Sequence, residues 1–274
     1  MTVTARRSET APGTSLAVGY SAASALRAPA LEVSIRPKDV ALVLCIMVTL
    51  LTIASAIATT LASSLPERQR GLIVVLGKFN VNNELNLPAW YSSSALLAAS
   101  ALLAMIAYAR RKLALGDAVH WAALALIFLG LSADESASLH EVLIVPLRRR
   151  LDLHGPLYFA WVLPGAAFVA AVGFAYWRFL FRLDARTRWC FAISAVVYVG
   201  GALGLEMLGG WLTETVGQQD VRYIAATTLE EFSEMVGVVL FLFSLLDYVA
   251  RQRWRISVAF GCPSHHVEPP GVPR

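Results

Sequence analysis

Residues 223–249 read YIAATTLEEFSEMVGVVLFLFSLLDYV. A helix needs about 20 apolar residues to cross the hydrocarbon core of a bilayer, and this run is long enough. It holds no Lys or Arg, yet it carries Glu230, Glu231 and Glu234 in its first half. The stretch therefore predicts a membrane-spanning helix with acidic groups inside it, and both parts of that reading extend to the rest of the chain.

Outward from this segment, five more stretches of the same kind appear at 40–64, 88–109, 118–145, 156–177 and 189–212, again free of Lys and Arg. The expected fold is all-α: a polytopic membrane bundle of six transmembrane helices over 39–250. Composition agrees. Charged residues make up 15% of the chain, against roughly 25% in soluble domains, and mean hydropathy is +0.60. A soluble enzyme and a disordered chain are both excluded. Cys45, Cys190 and Cys262 share no spacing that suggests a disulfide framework or redox pair. Gly200, Gly201 and Gly204 lie within an apolar helix with no strand before them, so no nucleotide-binding loop is expected. Pro164 falls inside the fourth stretch and should kink it. Residues 1–38, rich in Ala, Ser and Thr, predict a mobile tail, and 251–274 form a second tail.

Basic residues set the orientation, since cytoplasmic loops carry the excess of Lys and Arg. With the N-terminus inside, sixteen of the 23 Lys and Arg face the cytoplasm and seven face outward. Both termini are thus expected to be cytoplasmic, with Arg148, Arg149 and Arg150 as the main contrary signal. The net charge of +4 reads as topology and not as nucleic-acid binding.

The acids contradict the apolar pattern and so carry information. The third stretch contains Asp134, Glu135, Ser138, His140 and Glu141; the fifth contains Glu206; the sixth contains Glu230, Glu231 and Glu234. An ionised Asp at a helix centre costs about 2.5–3.5 kcal/mol on insertion scales, so seven unpaired carboxylates are not sustainable. At about 1.5 Å rise per residue, Glu206 lies roughly 9 Å and Glu230 roughly 10 Å inside the outer ends of their helices. Asp134 lies roughly 25 Å from the inner end of its own. All three sets converge on the outer half of the bilayer. On one continuous helix, Asp134, Ser138 and Glu141 would share a face, with Glu135 and His140 on its flanks.

Raised carboxyl pKa values, loop arginines such as Arg148 or Arg222 dipping inward, or a bound metal would neutralise such a pocket. Carboxylates with one imidazole suit a divalent Fe, Mn, Zn or Mg ion. Glu135, His140, Glu206, Glu230 and Glu234 are the expected ligands. His140 and Glu141 are the expected catalytic groups, and Asp134, Ser138, Glu231 and Glu84 should complete the pocket. His120 lies about 20 Å from Asp134 along its helix and should be a packed histidine. In the first loop Asn80, Asn82, Glu84 and Asn86 alternate like a calcium loop, but the required Gly and final acid are missing. Asx-turns and a cap for the second helix are expected instead, with Pro88 in its first turn.

Three motifs stand out: Asn-x-Glu-x-Asn-Leu-Pro-x-Trp at 82–90, Asp-Glu-x4-His-Glu at 134–141 and Glu-Glu-x-x-Glu at 230–234. The chain resembles, over approximately 39–250, an uncharacterised family of bacterial six-helix multi-pass membrane proteins. That resemblance implies the bacterial cytoplasmic (inner) membrane and the topology above, but no particular chemistry. The leading functional expectation is a metal-dependent membrane enzyme that meets membrane lipid and acts on a lipid or other lipophilic substrate. A proton- or cation-coupled transporter is the alternative; a non-catalytic protein whose polar cluster fixes helix packing is a further one.

Overall fold

The computed structural model describes residues 36–252 and a short pairing of strand β1 (Thr2–Val3) with β2 (Val33–Ser34). The expected tails at 1–38 and 251–274 fall mostly outside the described residues. The helices are α1 (Pro37–Ser64), α2 (Arg70–Gly77), α3 (Leu87–Lys112), α4 (Ala118–Ala137), α5 (Ile144–Leu151), α6 (Val162–Arg182), α7 (Ala185–Val199), α8 (Glu206–Thr215) and α9 (Val221–Arg251). A π-helical turn, Gly200–Leu205, joins α7 to α8 without a break. Six helices are long and apolar enough to span a membrane: α1, α3, α4, α6, the α7–α8 unit and α9. Apart from that short strand pairing the described residues form an all-α bundle, and the chain is a multi-pass membrane protein.

Helix α9 is the central element, packed against α1, α3, α7, α8 and the π turn. Its Val238, Phe241, Leu242 and Leu245 meet Leu103 and Ile106 of α3 and Trp121 of α4 in the main core. In lipid there is little hydrophobic force between helices, so small residues and interhelical hydrogen bonds do much of the work. Helices α3 and α4 show both. Ser93 Oγ donates to the Ser132 carbonyl and Ser132 Oγ donates back to the Ser93 carbonyl, each at 2.8 Å. Ser100 Oγ donates to the Ala125 carbonyl at 2.7 Å. Gly237 of α9 lies against the backbone of Tyr198 on α7, where a Cβ would come within 2.7–2.8 Å of three Tyr198 atoms. Large apolar side chains of α1, among them Leu42, Ile46, Leu50 and Ile57, are exposed on the outer surface of the bundle, as lipid-facing residues are.

Two local expectations need correction. The third span does not run to residue 145. It ends at Ala137, and Ser138 takes the left-handed conformation with φ 50°. The Asp134 carboxylate accepts the backbone N–H of His140 at 2.8 Å, which supports the turn, and a 3-10 turn, His140–Leu143, follows. Asp134, Ser138 and Glu141 therefore do not share a continuous helical face. Nor does Pro164 interrupt a helix. It occupies the first turn of α6, which starts at Val162 and not at 156, where the backbone N–H would have no intrahelical partner in any residue. No kink is required there.

Candidate functional site

The loop before α3 folds as its asparagines predict. Asn80 Oδ1 accepts the Asn82 N–H at 3.1 Å in an Asx-turn. Asn86 caps α3 by accepting the Ala89 N–H at 2.8 Å, and its amide also donates to the Asn80 and Asn83 carbonyls. The Val81 N–H donates to Ser55 Oγ on α1 at 3.0 Å. These bonds fix the loop to the bundle and place Glu84 opposite the end of α4, where Ser138 Oγ donates to Glu84 Oε2 at 2.8 Å.

Four segments converge there on one cavity of about 540 Å³. The loop supplies Asn82 and Glu84. The α4 end and its turn supply Asp134, Glu135, His140 and Glu141. Glu206 enters from the start of α8, and Glu230, Glu231 and Glu234 from α9. All seven acids expected from the three apolar stretches line this one cavity, and Glu84 makes an eighth. Ser138 holds Glu84 without itself lining the space.

Within the cavity the acids fall into distinct settings. His140 Nδ1 lies 2.8 Å from Asp134 Oδ2, which leaves Nε2 as the free ring nitrogen. Burial works against the charged imidazole, but the bond to Asp134 and the surrounding carboxylates outweigh it and raise the His140 pKa. The Glu141 carboxyl is also pushed up, first by burial and then by the negative charge of Glu84. Ligand atoms of Glu84, His140 and Glu141 all lie within 4.8 Å of one another.

Deeper in, Trp161 Nε1 donates to Glu206 Oε1 at 2.7 Å, and its ring lies 4.7 Å from that of His140. The Glu206 and Glu230 carboxyls are within hydrogen-bonding reach of each other. A bond between two carboxyl groups requires one proton between them. Glu230 is only 8% exposed, and its Oε2 is buried without a hydrogen-bond partner among the described residues. The π turn precedes Glu206 directly, and such turns recur at functional sites because they shift the register of the residues that follow. Close approach of Gly201 to α9 brings the two Glu-bearing helices together: a Cβ there would meet the Glu230 carbonyl at 3.0 Å and Glu234 Cγ at 3.2 Å.

The expected inward-dipping arginines do something else. The Arg148 guanidinium lies 4.0 Å from the Tyr158 ring centroid, and Arg222 pairs with Asp220. Among the described residues, no Lys or Arg lines the cavity. His120 stacks on Phe179 at 5.1 Å, away from the acids, as a packed histidine does. Trp161, Tyr198 and Tyr223 line the site but are not marked by the sequence reasoning. For Trp161 the usable signal is general: a buried indole N–H needs an acceptor.

Beyond the acids the walls turn apolar. Phe128, Leu131, Val169, Val172, Leu180 and Phe191 line this part. Phe168, Trp177 and Phe181 belong to the lining and are also exposed on the bundle's flank, so the cavity is open on the α6 side.

Fold and site together define a six-span membrane protein built around an acidic, imidazole-bearing cavity. A family described as a domain of unknown function (DUF8692) matches residues 40–249, and the chain belongs to that family. No curated protein and no solved structure matches it.

Proposed function

We propose that the protein is a metal-dependent membrane enzyme acting on a lipid or other lipophilic substrate. One observation carries the reading: the Glu84, His140 and Glu141 ligand atoms cluster within 4.8 Å in a half-open cavity with apolar walls. Glu84, His140 Nε2 and Glu141 would hold a divalent Fe, Mn, Zn or Mg ion. Asp134 would fix the His140 ring from behind, as a carboxylate behind a ligating histidine does. Glu206, Glu230, Glu234 and Glu135 line the same cavity and offer further oxygens for the same ion or a second one. The Glu206–Glu230 pair can hold a transferable proton beside the substrate. A bound metal would supply the activation of water or oxygen, and His140 and Glu141, the proposed catalytic groups, would be among the residues that hold it.

The proposed setting is the cytoplasmic membrane of a bacterium with both termini inside. The side-chain chemistry supports it: Arg110, Arg111, Lys112, Arg182, Arg186 and Arg251 gather at the end of the bundle opposite the acids. That end would face the cytoplasm, and the cavity would open in the outer half of the bilayer.

The test is elemental analysis of the purified protein beside Glu84→Gln and His140→Ala variants. About one metal ion per chain, lost in both variants with the fold retained, is the expected result. Metal-free protein whose thermal stability ignores added metal and chelator would sink the proposal.

A further inference from the structure

The cavity has a polarity that narrows what it can hold. Its polar end presents eight carboxyl groups and one imidazole, and among the described residues no Lys or Arg faces it. With the site free of metal, a phosphate or carboxylate head would meet eight carboxyl groups and find no Lys or Arg to receive it. Two acceptor atoms on lining residues, Glu230 Oε2 and Asn82 Oδ1, are buried without a partner among the described residues. Buried polar atoms are satisfied in the great majority of cases, so these two point to a donor supplied by the occupant.

The rest of the space suits a chain. Helix α6 presents Phe168, Val169, Val172 and Tyr176 along one face toward the cavity, at helical spacing. A volume near 540 Å³ is within the roughly 300–1,000 Å³ of small-molecule sites. The opening beside Phe168 and Trp177, both exposed on the flank, would face lipid and not water, so entry is sideways from the bilayer.

We infer that the cavity binds a long-chain lipophile whose polar end is a non-anionic hydrogen-bond donor, a hydroxyl or amine, set against Glu206 and Glu230 with its chain along α6. The inference rests on the lipophilic-substrate reading and sharpens it. Heads carrying a free phosphate are rejected by the metal-free cavity.

Retention of radiolabelled hexadecanol, hexadecylamine and hexadecyl phosphate on the full-length protein in neutral detergent tests this. It is done on metal-loaded and on chelator-treated protein. Hexadecanol and hexadecylamine should be retained in both states, and on chelator-treated protein at least about tenfold more tightly than hexadecyl phosphate, a difference of about 1.4 kcal/mol. Val172→Trp narrows the apolar part without touching a carboxylate. It should abolish retention of the alcohol and amine while leaving metal content unchanged. Equal or tighter binding of the phosphate by chelator-treated protein overturns the inference, as does retention that survives both Val172→Trp and a second block, Leu131→Trp. Selective retention by a metal-free protein would uphold the inference while removing the metal-enzyme reading, so the two fail separately.

Discussion

At the scale of single residues, the site depends on groups that hold other groups. Asp134 is the clearest case. One oxygen accepts the His140 backbone N–H and the other faces His140 Nδ1. The same side chain thus supports the turn that ends α4 and orients the imidazole. Asp134→Asn keeps the size but loses the charge, and its amide can present a donor where an acceptor is needed. The expected result is a loss of metal affinity of about 10–100-fold, the range for such supporting carboxylates. Titration of metal into the purified variant measures it. If Asp134→Asn binds metal like the parent, His140 is not a ligand through Nε2. Glu84 shows the same dependence on a neighbour. Ser138→Ala removes the donor to its Oε2 and should weaken metal binding by less than Asp134→Asn, because Glu84 stays anchored through its loop.

At the scale of elements, junctions decide what hydropathy cannot. The six spans are readable because bilayer thickness imposes length and composition on each. Their ends are not, because they depend on contacts across the chain. The end of α4 needs Ser138 in a left-handed conformation and Asp134 folded back on His140; nothing local in Ser-Ala-Ser-Leu announces it. The acids were legible as residues out of place, and their shared height followed from helix rise. Their pairing was not, since it requires the π turn before Glu206 and the close approach of Gly201. Glycine at 237 is a direct test of such packing. Gly237→Ala would press a methyl into the Tyr198 backbone and should destabilise the protein by about 1–3 kcal/mol, seen as a lower midpoint of thermal unfolding in detergent. Gly130→Ala, facing open space, is the matched control and should be near neutral. A second element-level prediction concerns Asp184, which caps α7 through Thr187 and pairs with Arg251 of α9. Burial works to raise its pKa, but the Thr187 hydrogen bonds and the Arg251 charge prevail and pull it down from 3.8 to about 2. A depressed folded value stabilises the folded state above 3.8, and the benefit is lost as pH falls toward about 2. The stability gap between the parent and Asp184→Asn should therefore close across that window. A gap that stays constant from neutral pH to pH 2 would show that Asp184 contributes no charge-dependent stability.

At the scale of the whole molecule, the two ends of the bundle are built differently. The acidic cavity occupies one. Ion pairs tie the other: Arg110 grips Asp117 with two bonds of 2.7 and 2.6 Å and donates to the Tyr248 hydroxyl at 3.0 Å, while Asp247 holds both Arg186 and Arg251. Between the ends stands a layer of packed rings. Phe128 stacks on Phe241 at 4.4 Å, Phe191 lies 4.9 Å from Phe241, and Trp121 lies 5.3 Å from Phe179 and 4.9 Å from Tyr248. Trp121, Phe179, Phe191 and Phe241 are all buried. The cavity runs from the acids to this layer, whose Phe128, Phe179, Phe191 and Phe241 line it, and opens sideways beside Phe168, Trp177 and Phe181. A transporter needs access from both faces in turn, so a proton or cation would have to part rings that form the core joining α3, α4, α6, α7 and α9. Parting that layer exposes buried aromatic surface whose loss costs about 3–5 kcal/mol for each large side chain truncated. The architecture therefore favours a site entered from one side over a path through the molecule. Protein reconstituted in liposomes should carry no proton or cation flux above empty vesicles, with or without an imposed pH gradient, while its metal content stays intact. Flux that disappears in Glu234→Gln would reverse this conclusion, because that side chain belongs to the cavity and not to the ring layer.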